Sequence, residues 1–219
     1  MTNADIMAAL GRERLIAIFR GVEGEQLRRL TAAVFSGGIR FIEVTFRQEL
    51  PDCERSGAEA IRTLSAMPGI IPGAGTVMNK RQVQAAFDAG AKYIVSPNTD
   101  PEVIAEAKRL GLVSIPGALT PTEVAAAYAL GADAVKLFPA GTMGLKYFKD
   151  LRAPLAHIPI VVTAGITEDN VAGFLHAGAL AAGISSPLCN RRLIEDGSFD
   201  EIERRSRALY VAAHGLLEA

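Results

Sequence analysis

Glu43, Thr45 and Arg47 fall at every second residue of Phe41-Ile42-Glu43-Val44-Thr45-Phe46-Arg47, and Lys136 keeps the same rhythm between Ala134 and Phe138. In an extended segment alternate side chains point to opposite faces, so Ile42, Val44 and Phe46 make one apolar face and the polar set makes the other. The same alternation sets Lys136 against Val135 and Leu137. If the apolar faces meet a layer of helices, the ammonium, the carboxylate and the guanidinium turn inward together. An inward ammonium is costly unless it is paired or gives up its proton. Two readings stand side by side. One is a structural ion pair between Lys136 and Glu43. The other is a lysine whose free amine adds to a carbonyl carbon, with Glu43 moving protons and Arg47 beside it. The other five lysines, Lys80, Lys92, Lys108, Lys146 and Lys149, lie in helical or loop contexts beside polar residues.

Further polar groups stand where apolar runs end. Thr76 closes Gly73-Ala74-Gly75-Thr76, whose glycines allow a close backbone approach or serve a plain tight turn. Ser96-Pro97-Asn98 ends another run and reads as a ligand contact or as a turn with an N-cap. Thr163-Ala164-Gly165-Ile166 and Gly183-Ile184-Ser185-Ser186 read as a backbone anion site or as glycine turns feeding Ser/Thr caps. His157, His176 and His214 sit on helices or at their ends without metal-type spacing. Cys53 and Cys189 are far apart, which suits free thiols in a reducing compartment.

The elements that must position these groups recur at a regular interval. Glycine follows helical periodicity and precedes a short apolar run at Gly38, Gly90, Gly111, Gly131 and Gly178. Strands are expected over 15–19, 41–46, 70–75, 93–96, 112–116, 134–138, 160–164 and 181–185. Helices are expected over 24–36, 52–66, 79–89, 100–110, 121–130, 145–156, 168–177 and 198–213. Eight strand–helix units without a linker predict a single (β/α)8 barrel domain over residues 1–219, with an extra N-terminal helix capping its base. A doubly wound open sheet is the alternative. It lacks the Gly-x-Gly-x-x-Gly turn of a dinucleotide-binding unit.

Composition excludes several classes. The 219 residues carry 23 basic and 24 acidic side chains, with no basic stripe of the kind nucleic acid requires. No apolar run is long enough to span a bilayer. The opening Met1-Thr2-Asn3-Ala4-Asp5 lacks the pattern of a secretion signal, so a cytoplasmic location is expected.

Five strings then align in order and spacing: Ile42-Glu43-Val44-Thr45-Phe46-Arg47, Gly73-Ala74-Gly75-Thr76-Val77, Ser96-Pro97-Asn98, Pro116-Gly117 and Lys136-Leu137-Phe138-Pro139-Ala140. Together they resemble the 2-keto-3-deoxy-6-phosphogluconate (KDPG) and 4-hydroxy-2-oxoglutarate (KHG) aldolase family, which includes 6-phosphogalactonate aldolases. The resemblance runs from about Leu15 to Ala213. It implies a TIM barrel and a Schiff-base lyase that reversibly cleaves 2-keto-3-deoxy-6-phosphogluconate or a close analogue to pyruvate and glyceraldehyde 3-phosphate, with no cofactor or metal. By the same resemblance Lys136 corresponds to the imine-forming lysine and Glu43 to the general acid/base. Arg47 and Thr76 correspond to the keto-acid carboxylate contacts, and Pro97 and Phe138 to the walls around the pyruvyl methyl end. Gly165, Ser185 and Ser186 match the phosphate loops, and Arg20 a further anionic contact. A homotrimer is implied as well. Ala164 stands where phosphate-binding members carry glycine, and Pro187 removes one possible N–H donor. An isomerase or epimerase using Lys136 and Glu43 only for proton transfer, an aldolase for unphosphorylated 4-hydroxy-2-oxoglutarate, and a keto-acid sensor are the competing readings.

Overall fold

The computed structural model describes residues 1–215; residues 216–219 of the expected domain lie outside them. Helix α1 (Asn3–Glu13) precedes β1 (Leu15–Phe19), α2 (Gly24–Ser36), β2 (Phe41–Thr45), α3 (Cys53–Ser65), β3 (Ile71–Gly75) and α4 (Lys80–Asp88). The alternation continues through β4 (Tyr93–Val95), α5 (Pro101–Arg109), β5 (Val113–Ile115), β6 (Gly117–Ala118), α6 (Pro121–Ala129), β7 (Val135–Leu137) and α7 (Ala140–Arg152). It ends with β8 (Ile160–Thr163), α8 (Glu168–His176), β9 (Ala181–Ile184), α9 (Arg191–Glu195) and α10 (Phe199–His214). All strand pairs are parallel, in the order β5-β4-β3-β2-β1-β9-β8-β7-β6.

The two strands at the ends of that order are halves of one, split at Pro116. Proline has no N–H for a ladder, so β5 pairs with β4 and β6 with β7. The seam is stitched by Asp133 and Ala134 N–H groups donating to the Ser114 carbonyl at 3.0 and 3.4 Å, and by Lys136 N–H donating to the Pro116 carbonyl at 2.8 Å. The nine segments therefore make a TIM-type barrel, where eight uninterrupted strands were expected.

Two apolar clusters follow from the period of two. Ile16, Ile18, Phe41, Ile71, Tyr93, Val95, Val113, Ile115, Ala134, Val161 and Ala181 fill the inside of the barrel. Their strand neighbours Ala17, Ile42, Val44, Ala74, Ile94, Val135, Leu137, Val162 and Ala182 pack outward against the helices. Ile6, Ala9 and Leu10 of α1 join the inner cluster, so that helix plugs the base.

The helices end as the glycine spacing predicts. After α4, Gly90 takes φ +97°, a left-handed turn that costs a residue with a Cβ far more. Its N–H donates to Phe87 while Ala91 N–H donates to Ala86, the paired bonds of a Schellman motif. The same pair of bonds recurs before Leu112, Ala132 and Ala179. Two departures concern helices. α7 begins at Ala140 and breaks at Gly144, where residues 145–156 were expected to be one helix. The five-residue α9 was not expected at all.

Candidate active site

Polar groups replace the apolar filling at the carboxyl end of the barrel. Glu43 on β2 is 2% exposed and Lys136 on β7 is 8% exposed, with Thr45 and Thr163 also buried. The strand order leaves β1, β9 and β8 between β2 and β7 on one side and β3 to β6 on the other, so Glu43 and Lys136 stand across the barrel from one another. No ion pair joins them among the described residues, where every ion pair lies at or near the surface. The structural ion pair that the sequence left open is thus not made. Burial pushes the Glu43 carboxyl above the ordinary glutamate range, and the charges of Lys136 and Arg20 only partly offset it.

Room for the Glu43 carboxylate comes from the neighbouring strand. Thr45 pairs with Gly75 in register, and a Cβ on Gly75 would fall on the carboxylate itself. Lys136 has its Nζ 5.2 Å from the centroid of the Phe138 ring, which lies exposed at the mouth. Pro97 is half-buried, and its backbone carbonyl packs against Gly117 so closely that a Cβ there would strike it. Ser96, by contrast, is buried and donates from Oγ to the Val77 carbonyl at 2.7 Å, which gives it a structural partner.

Thr76 and Arg20 meet at the rim. Arg20 Nη2 donates to Thr76 Oγ1 at 3.4 Å. Thr76 adopts φ +56°, a conformation rare for a β-branched residue. Gln48 holds it there by donating from Nε2 to the Thr76 carbonyl at 2.8 Å, and the buried Gln82 in turn donates to Gln48 at 2.9 Å. This glutamine pair escaped the sequence reading. A Gln in the first turn of a helix carries no sign that it is 1% exposed.

Arg47 departs from its expected place. β2 ends at Thr45, so Arg47 leaves the inward row, stays half-buried at the rim and donates from Nε to Glu49 at 3.0 Å. A cavity of about 460 Å³ opens beside it, lined by Arg20, Arg47, Glu49, Cys189 and Arg191 but by neither Lys136 nor Glu43. Cys189 there has its thiol raised by burial.

The two loops expected to hold an anion differ in form. Ala164 and Gly165 take φ +70° and +72° in succession. Gly141 N–H donates to the Ala164 carbonyl at 2.8 Å and Asn170 Nδ2 to the Gly165 carbonyl at 2.9 Å, which fixes this loop between α7 and α8. Ser185 and Ser186 are exposed and open no helix. The Ser185 carbonyl instead accepts the Leu188 and Cys189 N–H groups at 3.0 and 2.8 Å, and α9 begins only at Arg191. The histidines stay clear of the barrel interior; His214 bonds the Tyr210 and Arg12 carbonyls.

Residues 6–205 match the family model described as KDPG and KHG aldolase. The chain belongs to this aldolase family. It is 37% identical over 175 residues to the probable 2-dehydro-3-deoxy-6-phosphogalactonate aldolase of Rhizobium meliloti (strain 1021), covering 80% of this chain and 81% of that one. It is 34% identical over 205 residues to the 2-dehydro-3-deoxy-phosphogluconate aldolase of Treponema pallidum (strain Nichols), covering 92% and 94%. A solved structure described as native KDPGal superposes with a TM-score of 0.83 at 30% identity, over 94% of this chain and 96% of that one. As a member of the KDPG and KHG aldolases the protein is a lyase acting on carbon–carbon bonds.

Proposed function

We propose that this aldolase works through an imine on Lys136 and cleaves KDPG or a close analogue to pyruvate and glyceraldehyde 3-phosphate. The supporting observation is a buried, inward lysine with no ion-pair partner among the described residues, set across the barrel from a carboxyl held above its ordinary range.

The amine of Lys136 adds to the C2 carbonyl carbon, and Glu43 passes the protons that turn the carbinolamine into an iminium and water. The iminium draws electrons from C3. Glu43 then takes the proton of the C4 hydroxyl, the C3–C4 bond breaks, and its electron pair is held as an enamine while the aldehyde leaves. A proton returned to C3 and hydrolysis of the imine free pyruvate and restore the amine. A carboxyl raised toward neutrality suits both directions of this traffic. Arg47 and Thr76 hold the keto-acid carboxylate, Arg20 adds positive charge at the rim, and Pro97 and Phe138 wall the methyl end. Gly165, Ser185 and Ser186 receive the phosphate.

Relatives carry both the galactonate and the gluconate names, at 37% and 34% identity respectively. Cleavage is therefore to be compared on the two phosphorylated epimers and on unphosphorylated 4-hydroxy-2-oxoglutarate. We infer from the linkerless strand–helix alternation that residues 1–219 form one domain, from the two widely spaced free cysteines that the chain works in the reducing cytoplasm, and from the family resemblance that it acts as a homotrimer in sugar-acid breakdown of the Entner–Doudoroff type. Light scattering after size exclusion tests the trimer. Incubation with pyruvate and borohydride, read by intact mass, tests the chemistry. One reduced pyruvyl adduct is expected on the native chain and none on Lys136→Ala; an adduct surviving that substitution refutes the assignment.

A further inference from the structure

Tyr93 has no part in the steps above, yet its surroundings give it one. The residue is 1% exposed, and its phenolic oxygen is buried without a hydrogen-bond partner among the described residues. Buried tyrosine hydroxyls ordinarily find one, and a position needing bulk alone is served by Phe.

Strand register puts Ile18, Glu43, Gly73 and Tyr93 in one inward row across β1 to β4. Between the carboxylate and the phenol stands a glycine. A Cβ on Gly73 would collide with Cζ and both Cε atoms of Tyr93, the end of the ring that bears the hydroxyl. The missing side chain lets the ring lean over β3 toward β2, and the Glu43 carboxylate leans onto β3 from the other side, over Gly75. Among the described residues no hydrogen bond reaches that carboxylate either. Lys136 and Arg20 act on it from β7 and from the end of β1, and the unpartnered Thr45 hydroxyl follows it on its own strand.

We infer that Tyr93 is a positioning residue for Glu43, its hydroxyl donating through one bridging water to the ionised carboxylate. An ionised carboxylate only accepts, so this bond favours the charged form and opposes the effect of burial. Tyr93 keeps its proton throughout, because burial, with Glu43 adding to it, holds the phenol well above its ordinary range. The inference rests on the proposed acid–base role of Glu43.

Tyr93→Phe removes one oxygen and keeps the packing on Phe41, whose ring centroid is 5.7 Å away. The acid limb of the kcat/KM profile reports the base of the free enzyme. It is expected to move up by about one pH unit in the variant, the shift that loss of a single charge-assisted bond produces. The pH midpoint for borohydride trapping of pyruvate moves the same way, with KM little changed. If the acid limb stays put while the thermal midpoint rises, the phenol is an orphan and the inference is overturned. Glu43→Gln separates the two claims. Should it retain the native acid limb, the role of Glu43 itself has failed; should it lose the limb while Tyr93→Phe keeps it, only the role of Tyr93 has.

Discussion

Gly75→Ala puts the positioning of Glu43 to a direct test. Gly75 does not use a left-handed backbone, so alanine fits the strand and the only obstacle is space. The new Cβ would lie 2.7 Å from Cγ of Glu43, with the carboxylate closer still. Carbon atoms rest about 3.5–4.0 Å apart, so the side chain must retreat by at least about 1 Å, and its carboxylate by more. Displacing an aligned catalytic group by that much costs about 100-fold in rate. Overpacking costs about 1–3 kcal/mol of stability, some degrees in thermal midpoint for a chain of this length. The assay is kcat for cleavage with lactate dehydrogenase-coupled pyruvate detection, next to a melting curve. Gly173→Ala on α8 is the control, because its Cβ meets only the flexible end of Leu145, at 3.2 Å. A folded Gly75→Ala that cleaves within about threefold of the native rate refutes the reasoning, since it leaves the carboxylate's location immaterial.

Glu43→Gln is expected to trade activity for stability in a pH-dependent way. The folded carboxyl lies above the ordinary value of 4.5, so the folded chain binds that proton more tightly than the unfolded one. Stability is then full below that value and falls as pH rises above it. The variant should melt higher than the native protein at about pH 8 and match it at about pH 4; an equal gap at both refutes the account. Thr31→Val addresses a buried hydroxyl on α2 that has no partner among the described residues. It should raise the urea midpoint by about 1 kcal/mol in stability at unchanged slope, and a lowered midpoint would show that the hydroxyl is satisfied.

Much of the barrel was legible because a strand buried on both sides must alternate strictly. Glu43 and Lys136 were placed inward by that rule once the opposite faces, Ile42-Val44-Phe46 and Val135-Leu137, were assigned to the helices. The rule fails where strands stop. Arg47 was assigned to the inward row, but it lies two residues past the end of β2 and follows rim geometry. Pro116 split the fifth strand for a reason visible in the sequence, its missing N–H, although an apolar run on its N-terminal side masked the break. Gly141 and Gly144 hid the start of α7, and only Gly144 is non-helical. Tyr93 reads from sequence as one more aromatic in a strand. Its significance depends on Gly73 one strand away and Glu43 two strands away, a relation that register reveals and periodicity does not.

Ile6, Ala9 and Leu10 of α1, with the inner cluster packed above them, close the base of the barrel and leave the carboxyl end as the approach to Glu43 and Lys136. Everything that reacts must enter and leave by one opening. On the proposed imine chemistry the pyruvyl fragment stays bonded to Lys136 after the C3–C4 bond breaks, while the aldehyde is held by no covalent bond. The aldehyde therefore departs first and pyruvate second, and in the synthetic direction pyruvate must load before any aldehyde can follow it in.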